Sequence, residues 1–243
     1  MRPHAVIAAG LVVLAAGALA PPLPAEEPIT VVAAEFPPLT TDAGGRPGGI
    51  VLDALREAGK RAGIPLRFSF LPWERAKREV LENPRELIIP FTRTPGRELS
   101  YQWVAPVVGF DTVLITLDAP LTSLDAARQR VVGYVRGTSF TDEARQAGFT
   151  HVEESIDDAT NARKLKSGHI QAWITTDLMA GAVYRQAGFD PAELKYGMKL
   201  GETKISYVAA SPDFPPAIAE RIADALAAMR ADGTLEAIVK RYL

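Results

Sequence analysis

Short apolar runs alternate along this chain with stretches in which apolar positions recur every three or four residues. The runs Ile29 to Ala34, Leu66 to Leu71, Leu87 to Phe91, Thr112 to Leu117, Arg130 to Val135, Ala172 to Thr175 and Ile205 to Ala210 read as strands. Several are apolar on both faces, the pattern of parallel strands sandwiched between helices. Between them, Val51, Leu55, Ala58 and Ala62 fall at i, i+4, i+7 and i+11, one stripe of a helix that should end at Gly63-Ile64-Pro65. Trp73, Ala76 and Val80 make a second stripe after Pro72. Ser155 and Asp158 form a capping-box pattern ahead of Ala159, Ala162 and Leu165. Near the end, Ile218, Ile222, Leu226 and Met229 share one helix face, Asp232-Gly233 should stop that helix and Thr234 should cap the next. This β/α alternation predicts an open α/β architecture.

Length and composition support that expectation. With 243 residues, 47% of them hydrophobic and 23% charged, the chain can bury one large core or those of two lobes, and disorder is excluded as its main state. Met1-Arg2-Pro3-His4 carries one clear positive charge and precedes an uncharged apolar run from Ala5 to Ala20, the n- and h-regions of an export signal. Ala18-Leu19-Ala20 resembles a cleavage site, but the proline after it disfavours cutting there, so cleavage after Ala25 is expected. The competing reading is an uncleaved anchor helix, for which the run is short. With no cysteine anywhere, neither a disulfide framework nor the lipid of a bacterial lipoprotein is expected, and free diffusion in a periplasm fits best. Removing residues 1–25 takes away one cation and no acid, moving the formal charge from −2 to −3, which gives no support for nucleic-acid binding.

Several chemistries find no residues to carry them. Beyond His4 there are only His151 and His169, both expected at the surface near turns, so no metal site is predicted. Neither a phosphate-binding Gly-x-x-x-x-Gly-Lys-Ser/Thr loop nor a Gly-x-Ser-x-Gly nucleophile elbow occurs. The glycines of Gly44 to Gly49 lack dinucleotide-binding spacing and read as a flexible turn. No cofactor is implied.

Four predicted strand ends carry aromatic, hydroxyl or charged groups, and ligands of open α/β sheets sit at such carboxyl ends. They are Ala34 to Pro38 (AEFPP), Phe91 to Arg97 (FTRTPGR), Tyr134 to Phe140 (YVRGTSF) and Trp173 to Asp177 (WITTD). The second poses a specific question. An apolar strand that ends in Thr92, Arg93, Thr94 and, past a Pro-Gly turn, Arg97 places cations where an anion could be met. The plain alternative is a surface turn in which Arg97 pairs with Glu98. In the third, Gly137, Thr138 and Ser139 stand where a strand becomes a helix, which points free N–H groups and hydroxyls one way and favours anions. An ordinary N-cap is the simpler account, and the two are compatible.

Taken in order, these segments, together with GRPGGIVLDAL, LPWERA, TRTPGRELSYQWVAP and the terminal ADGTLEAIVKRYL, resemble the family 3 extracellular solute-binding proteins, periplasmic receptors of amino-acid ABC transporters. The resemblance implies a type II periplasmic-binding fold: two α/β lobes, each a mostly parallel sheet flanked by helices, joined by two hinge crossings. Here these should lie near Leu117 and Ser206, giving residues 26–116 and 206–243 to one lobe and 117–205 to the other. It further implies a cleft in which Arg97 grips a ligand carboxylate beside Thr92, with Gly137, Thr138 and Ser139 as the opposing arm and Phe36 and Trp73 covering an apolar part. Phe36 and Trp73 could equally be core residues.

Where the family places acids for a ligand ammonium, this chain has Ala33, with Glu35 two residues on, and Thr176 or, with a one-residue shift, Asp177. Asp177 could instead cap a helix starting at Leu178. The ligand is thus expected to be a small amino acid or an organic acid without an amino group, delivered by a monomeric receptor to an inner-membrane ABC permease. The alternatives are an enzyme like the cyclohexadienyl dehydratases, with Glu35 or Glu202 as acid or base, and a sensor or oxidoreductase accessory.

Overall fold

A computed structural model describes residues 27–243; the expected export signal, residues 1–25, and its cleavage site lie outside the described residues. The chain runs β1 (Ile29–Ala33), a small hairpin of β2 (Thr41–Asp42) and β3 (Pro47–Gly48), α1 (Ile50–Ala62), β4 (Leu66–Phe70), α2 (Trp73–Glu82) and β5 (Glu86–Thr92). A 3-10 turn, Pro95–Arg97, leads to the long β6 (Gln102–Thr116). Then come α3 (Leu124–Arg128), β7 (Val132–Val135), α4 (Ser139–Gln146), β8 (Val152–Ser155), α5 (Asp158–Lys166), β9 (Ala172–Thr176) and α6 (Ala180–Gln186). The equally long β10 (Lys195–Ala210) is followed by α7 (Pro216–Ala231) and α8 (Thr234–Lys240).

All strands but β2 and β3 join one curled sheet in the order β4-β1-β5-β10-β6-β9-β7-β8. At one end β4, β1 and β5 are parallel, and at the other so are β8, β7 and β9. The antiparallel pair β6 and β10 runs between the two ends. Ser206 to Ala210 of β10 pair with β5, whereas Thr112 to Ile115 of β6 pair with β9, so each long strand serves both lobes. The expected crossings near Leu117 and Ser206 fall just past the end of β6 and inside β10.

Sequence pattern and packing agree where strands are buried on both faces. Val31, Val32, Leu87, Ile88 and Ile89 are fully enclosed, and α1 buries Val51, Leu55 and Ala58 in the same core. The left-handed conformation of Gly63, with φ 66°, ends α1 as a C-cap. The helices α7 and α8 pack against α1, although the second lobe separates them in sequence. Tyr242 fastens this return: its hydroxyl donates to Asp53 Oδ2 at 2.6 Å and accepts the Gly49 N–H at 3.0 Å.

Two caps differ from expectation. Ser155 is the last residue of β8, paired with Val135, so α5 begins later and its N-cap is Asp157, whose Oδ1 accepts the Thr160 N–H at 2.7 Å. Gly233, at φ 80°, occupies the N-cap of α8; Thr234 is its first helical residue and donates its N–H to Asp232 Oδ1 at 2.9 Å. His151 and His169 are both exposed. Among the described residues no helix is long and apolar enough to cross a membrane, and no cluster of His, Cys, Asp or Glu could hold a metal ion.

The second lobe buries two acids, Glu143, which pairs with Lys204 at 2.6 Å, and Asp158. Asp158, at 2% exposure, accepts the Trp173 indole N–H at 2.9 Å, and burial pushes its carboxyl from an ordinary 3.8 up to about 7. A folded-state value above the unfolded one means that the native protein holds the extra proton, so this group's contribution is complete below about pH 4 and is lost as pH rises towards 7. Each tenfold change in ionisation constant is worth about 1.4 kcal/mol. Asp158→Asn, which keeps the neutral shape, should therefore raise the melting temperature relative to wild type at pH 8 by roughly 8–16 °C, and by much less at pH 4.5. Calorimetric melting of both proteins across that range checks this; an equal offset at every pH would show that Asp158 does not titrate as described.

Candidate functional site

Residues at or just beyond the C-terminal ends of β1, β5, β7 and β9 converge on a cavity of about 40 Å³ between the lobes. One wall is built by the segment after β5. Pro95 starts the 3-10 turn, the Arg97 N–H donates to Thr94 O at 3.0 Å, and the turn folds Arg97 back over the strand end. Its Nη1 donates to Thr92 O and its Nη2 to Gly137 O, each at 2.9 Å, while the guanidinium lies 4.5 Å above the Phe91 ring. Arg93 goes the other way: it takes Glu98 in an ion pair and sits 5.5 Å over Trp103. Glu98 is thereby withdrawn from Arg97, which makes no ion pair with any acid among the described residues. Desolvation pulls the Arg97 guanidinium below its usual value, and the fields of Tyr101, Asp142 and Glu74 oppose that shift.

The facing wall is the turn from β7 into α4. Thr138 caps α4, its hydroxyl donating to Val135 O at 2.6 Å and accepting the Phe140 N–H at 3.3 Å. Ser139 is the first helical residue, at the end where backbone N–H groups lack intrahelical partners and the helix dipole is positive. Gly137 holds φ 68°, a left-handed conformation, and its carbonyl accepts three donors from the other lobe: Arg97 Nη2 at 2.9 Å, Trp73 Nε1 at 3.0 Å and Lys77 Nζ at 3.0 Å. The structure is therefore that of a closed cleft.

Of the residues expected at a site, Phe36, Trp73, Thr92, Arg97, Thr138, Ser139 and Thr176 line the cavity together, and Gly137 adjoins it through the carbonyl latch. Asp177 does not line it. Its Oδ1 accepts the N–H groups of Leu178 at 2.9 Å and Asp111 at 3.0 Å, and its own N–H donates to Asp111 O at 3.0 Å, so it ties β9 to β6. Glu35 and Glu202 also lie outside; Glu35 accepts the Asp42 N–H at 2.6 Å and Glu202 is exposed.

Sequence reasoning missed Leu39, Pro90, Phe110, Met179 and Ser206, and gave no role to Phe140, all of which complete the lining. Phe140 follows the capping residues directly and could have been read from them; Phe110 and Ser206 lie within long strands and carry no local signal. Ser206 is 1% exposed, and its hydroxyl has no hydrogen-bond partner among the described residues. The walls are thus mainly aromatic and aliphatic, with one cation, four hydroxyls of Thr and Ser beside Thr92, and no carboxylate.

The model of the bacterial extracellular solute-binding proteins, family 3, matches residues 29–243. No curated protein sequence matches the chain. Among solved structures it is similar to a histidine kinase sensor domain resembling periplasmic binding proteins, with TM-score 0.82 and 16% identity over 90% of this chain and 97% of that one. It is also similar to an ancestral arginine-binding protein bound to arginine, with TM-score 0.79 and 20% identity over 90% and 99%. A third is an ABC uptake transporter substrate-binding protein from Streptococcus pneumoniae with bound histidine, with TM-score 0.78 and 16% identity over 88% and 92%. These neighbours share the fold.

The latch can be tested at Gly137. A Cβ there would stand 1.5 Å from Glu74 Oε1, forcing that side chain off Lys77, and the left-handed backbone adds about 1–2 kcal/mol for any other residue. Gly137→Ala should leave the lobes folded but shift the unliganded protein towards an open form, seen as a larger radius of gyration by small-angle scattering. An unchanged radius would mean that this carbonyl does not hold the lobes together.

Proposed function

Because the chain belongs to the bacterial extracellular solute-binding proteins of family 3, we propose that its cleft captures a small carboxylate-bearing solute in the periplasm and delivers it, as a monomer, to an ABC-type permease of the inner membrane. The observation that carries this reading is Arg97, a largely desolvated guanidinium without an ion-pair partner among the described residues, held against the turn that opens α4 on the wall of a small cavity. A planar guanidinium fork and first-turn amides are matched to a carboxylate. Arginine and histidine, the ligands named for two of the structural relatives, both carry one.

The mechanism follows from the geometry. Arg97 and Thr92 belong to the lobe that ends near residue 116 and resumes near 206; Thr138, Ser139 and Thr176 belong to the other. A ligand that bridges the two groups interacts more strongly with the closed form than with the open one, and this difference is what drives closure. The strands β6 and β10, which pair with both lobes, act as the hinge. No step requires a cofactor.

Thermal-shift screening of the exported chain against amino acids and organic acids, followed by calorimetry, tests the reading. Charge-assisted hydrogen bonds are worth about 1.5–3 kcal/mol each, so Arg97→Ala should weaken binding of the best carboxylate by a hundredfold or more. Arg97→Lys, which keeps the charge and loses the fork, should fall between the two. Undiminished affinity in Arg97→Ala would remove the guanidinium from the site and the reading with it.

A further inference from the structure

On the premise that a carboxylate sits on Arg97, we propose that the ligand bears no ammonium group: the cavity is built for small monocarboxylates with an apolar body and no α-amino group. Charge balance inside the closed cleft carries the proposal. The lining holds one formal charge, that of Arg97, and no aspartate or glutamate. A monoanion brings the enclosed charge to zero. A zwitterion leaves a net positive charge in a cavity with no acid to meet it, and a buried ammonium needs such a partner.

The acids nearest by are already engaged. Glu74 pairs with Lys77 at 3.0 Å and Asp142 with Arg145 at 3.3 Å. Asp177 is turned onto Asp111 and Leu178, and Glu35 faces a separate groove beyond Phe36 and Trp73. The two rings that flank the guanidinium are not free to replace an acid. The rings of Phe91 and Trp73 already face the Arg97 guanidinium at 4.5 and 5.8 Å, so an ammonium placed among them would stand beside a like charge.

What remains in the cavity is neutral. Thr176, 1% exposed, already accepts the Met179 N–H at 3.0 Å, and the buried Ser206 hydroxyl has no partner among the described residues. A hydroxyl can donate to a second carboxylate oxygen, or to a 2-oxo or 2-hydroxy oxygen, without adding charge. Thr92, Thr138 and Ser139 add further neutral hydroxyls, and Leu39, Phe110, Phe140 and Met179 offer apolar surface to the ligand body. The volume of about 40 Å³ has room for about three waters, which favours a short branched chain over a long side chain.

Matched pairs decide the matter by calorimetry on the wild-type protein: valine against 3-methylbutanoate and 3-methyl-2-oxobutanoate, and leucine against the corresponding leucine-derived acids, with 3-methylbutanamide as the uncharged control. The deaminated acids should bind at least tenfold more tightly than their amino-acid partners, and the amide should not bind. Thr176→Asp, which keeps an acceptor for the Met179 N–H and adds the missing negative charge, should narrow or reverse that preference. If the amino acids bind more tightly than their deaminated partners while Arg97→Ala still abolishes binding, this proposal falls and the carboxylate reading stands. If Arg97→Ala leaves binding untouched, or nothing bearing a carboxylate binds, both fall. The wild-type comparison needs no substitution, so a Thr176→Asp protein that fails to fold leaves the test intact.

Discussion

Positive charge gathered at the start of a helix is the constraint around which the cleft is organised. Arg97 and Lys77 both donate to the carbonyl of Gly137, the residue just before the cap of α4. Cations are normally disfavoured there, because the first turn of a helix already presents unpaired N–H groups and the positive end of its dipole. Glu74 answers Lys77, and Asp142 in the first turn offsets part of the helix field. Arg97 receives no such answer. Its position is set by the 3-10 turn behind it, by the Thr92 carbonyl and by the Phe91 ring, so moving it into solvent breaks these side-chain contacts. The arrangement is one that an anion completes.

The same geometry explains why closure and recognition are one event. The strands β6 and β10 are continuous through the molecule, but their pairing shifts register between Leu200 and Lys204, opposite Phe110 to Thr112. Gly201, at φ 66°, sits in that irregular stretch. Such bulges let a paired ribbon bend without breaking its ladder. Polar contacts gather beside it: Asp111 takes Lys199 and Thr203, each at 2.7 Å, and is tied to Asp177 through both main chain and side chain. Asp177 thus belongs to the mechanics of the crossing, while Phe110 and Ser206, on the same two strands, reach the cavity. The bending segment and the floor of the site are the same few residues.

Much of this could be read from the chain, and the limits were physical. The doubly apolar runs of β1, β5, β7 and β9 were recognisable because parallel strands are buried on both faces. The edge strand β8, with the sequence VEES, was not, since a half-exposed polar strand has no such pattern. The long hinge strands were seen only at their buried ends; Pro106, Gly109 and Asp111 in one, and Gly201 to Thr203 in the other, interrupt the alternation that would mark a strand. At the site, strand ends and turn chemistry pointed to six residues that do line one cavity, and the family resemblance added Trp73. The choice between Arg93 and Arg97 was different in kind. Both lie near Glu98 in sequence, and only the direction of the 3-10 turn gives the acid to one and the cavity to the other.

Opposing terms meet in the closed cleft. The Gly137 carbonyl accepts three donors across the gap, and each such bond to a charged group is worth about 1.5–3 kcal/mol when well formed. Against this stand the desolvation of the Arg97 guanidinium, which has no acid partner among the described residues, and a buried Ser206 hydroxyl with no partner among them, where an unsatisfied buried polar group costs about 1–3 kcal/mol. These terms have opposite sign, so a ligand that removes the unfavourable ones shifts the population towards the closed form. A carboxylate reaching both Arg97 and Ser206 removes the penalties while leaving the latch in place. Its effect on closure is then set less by new contact area than by the relief of groups that closure alone leaves unsatisfied.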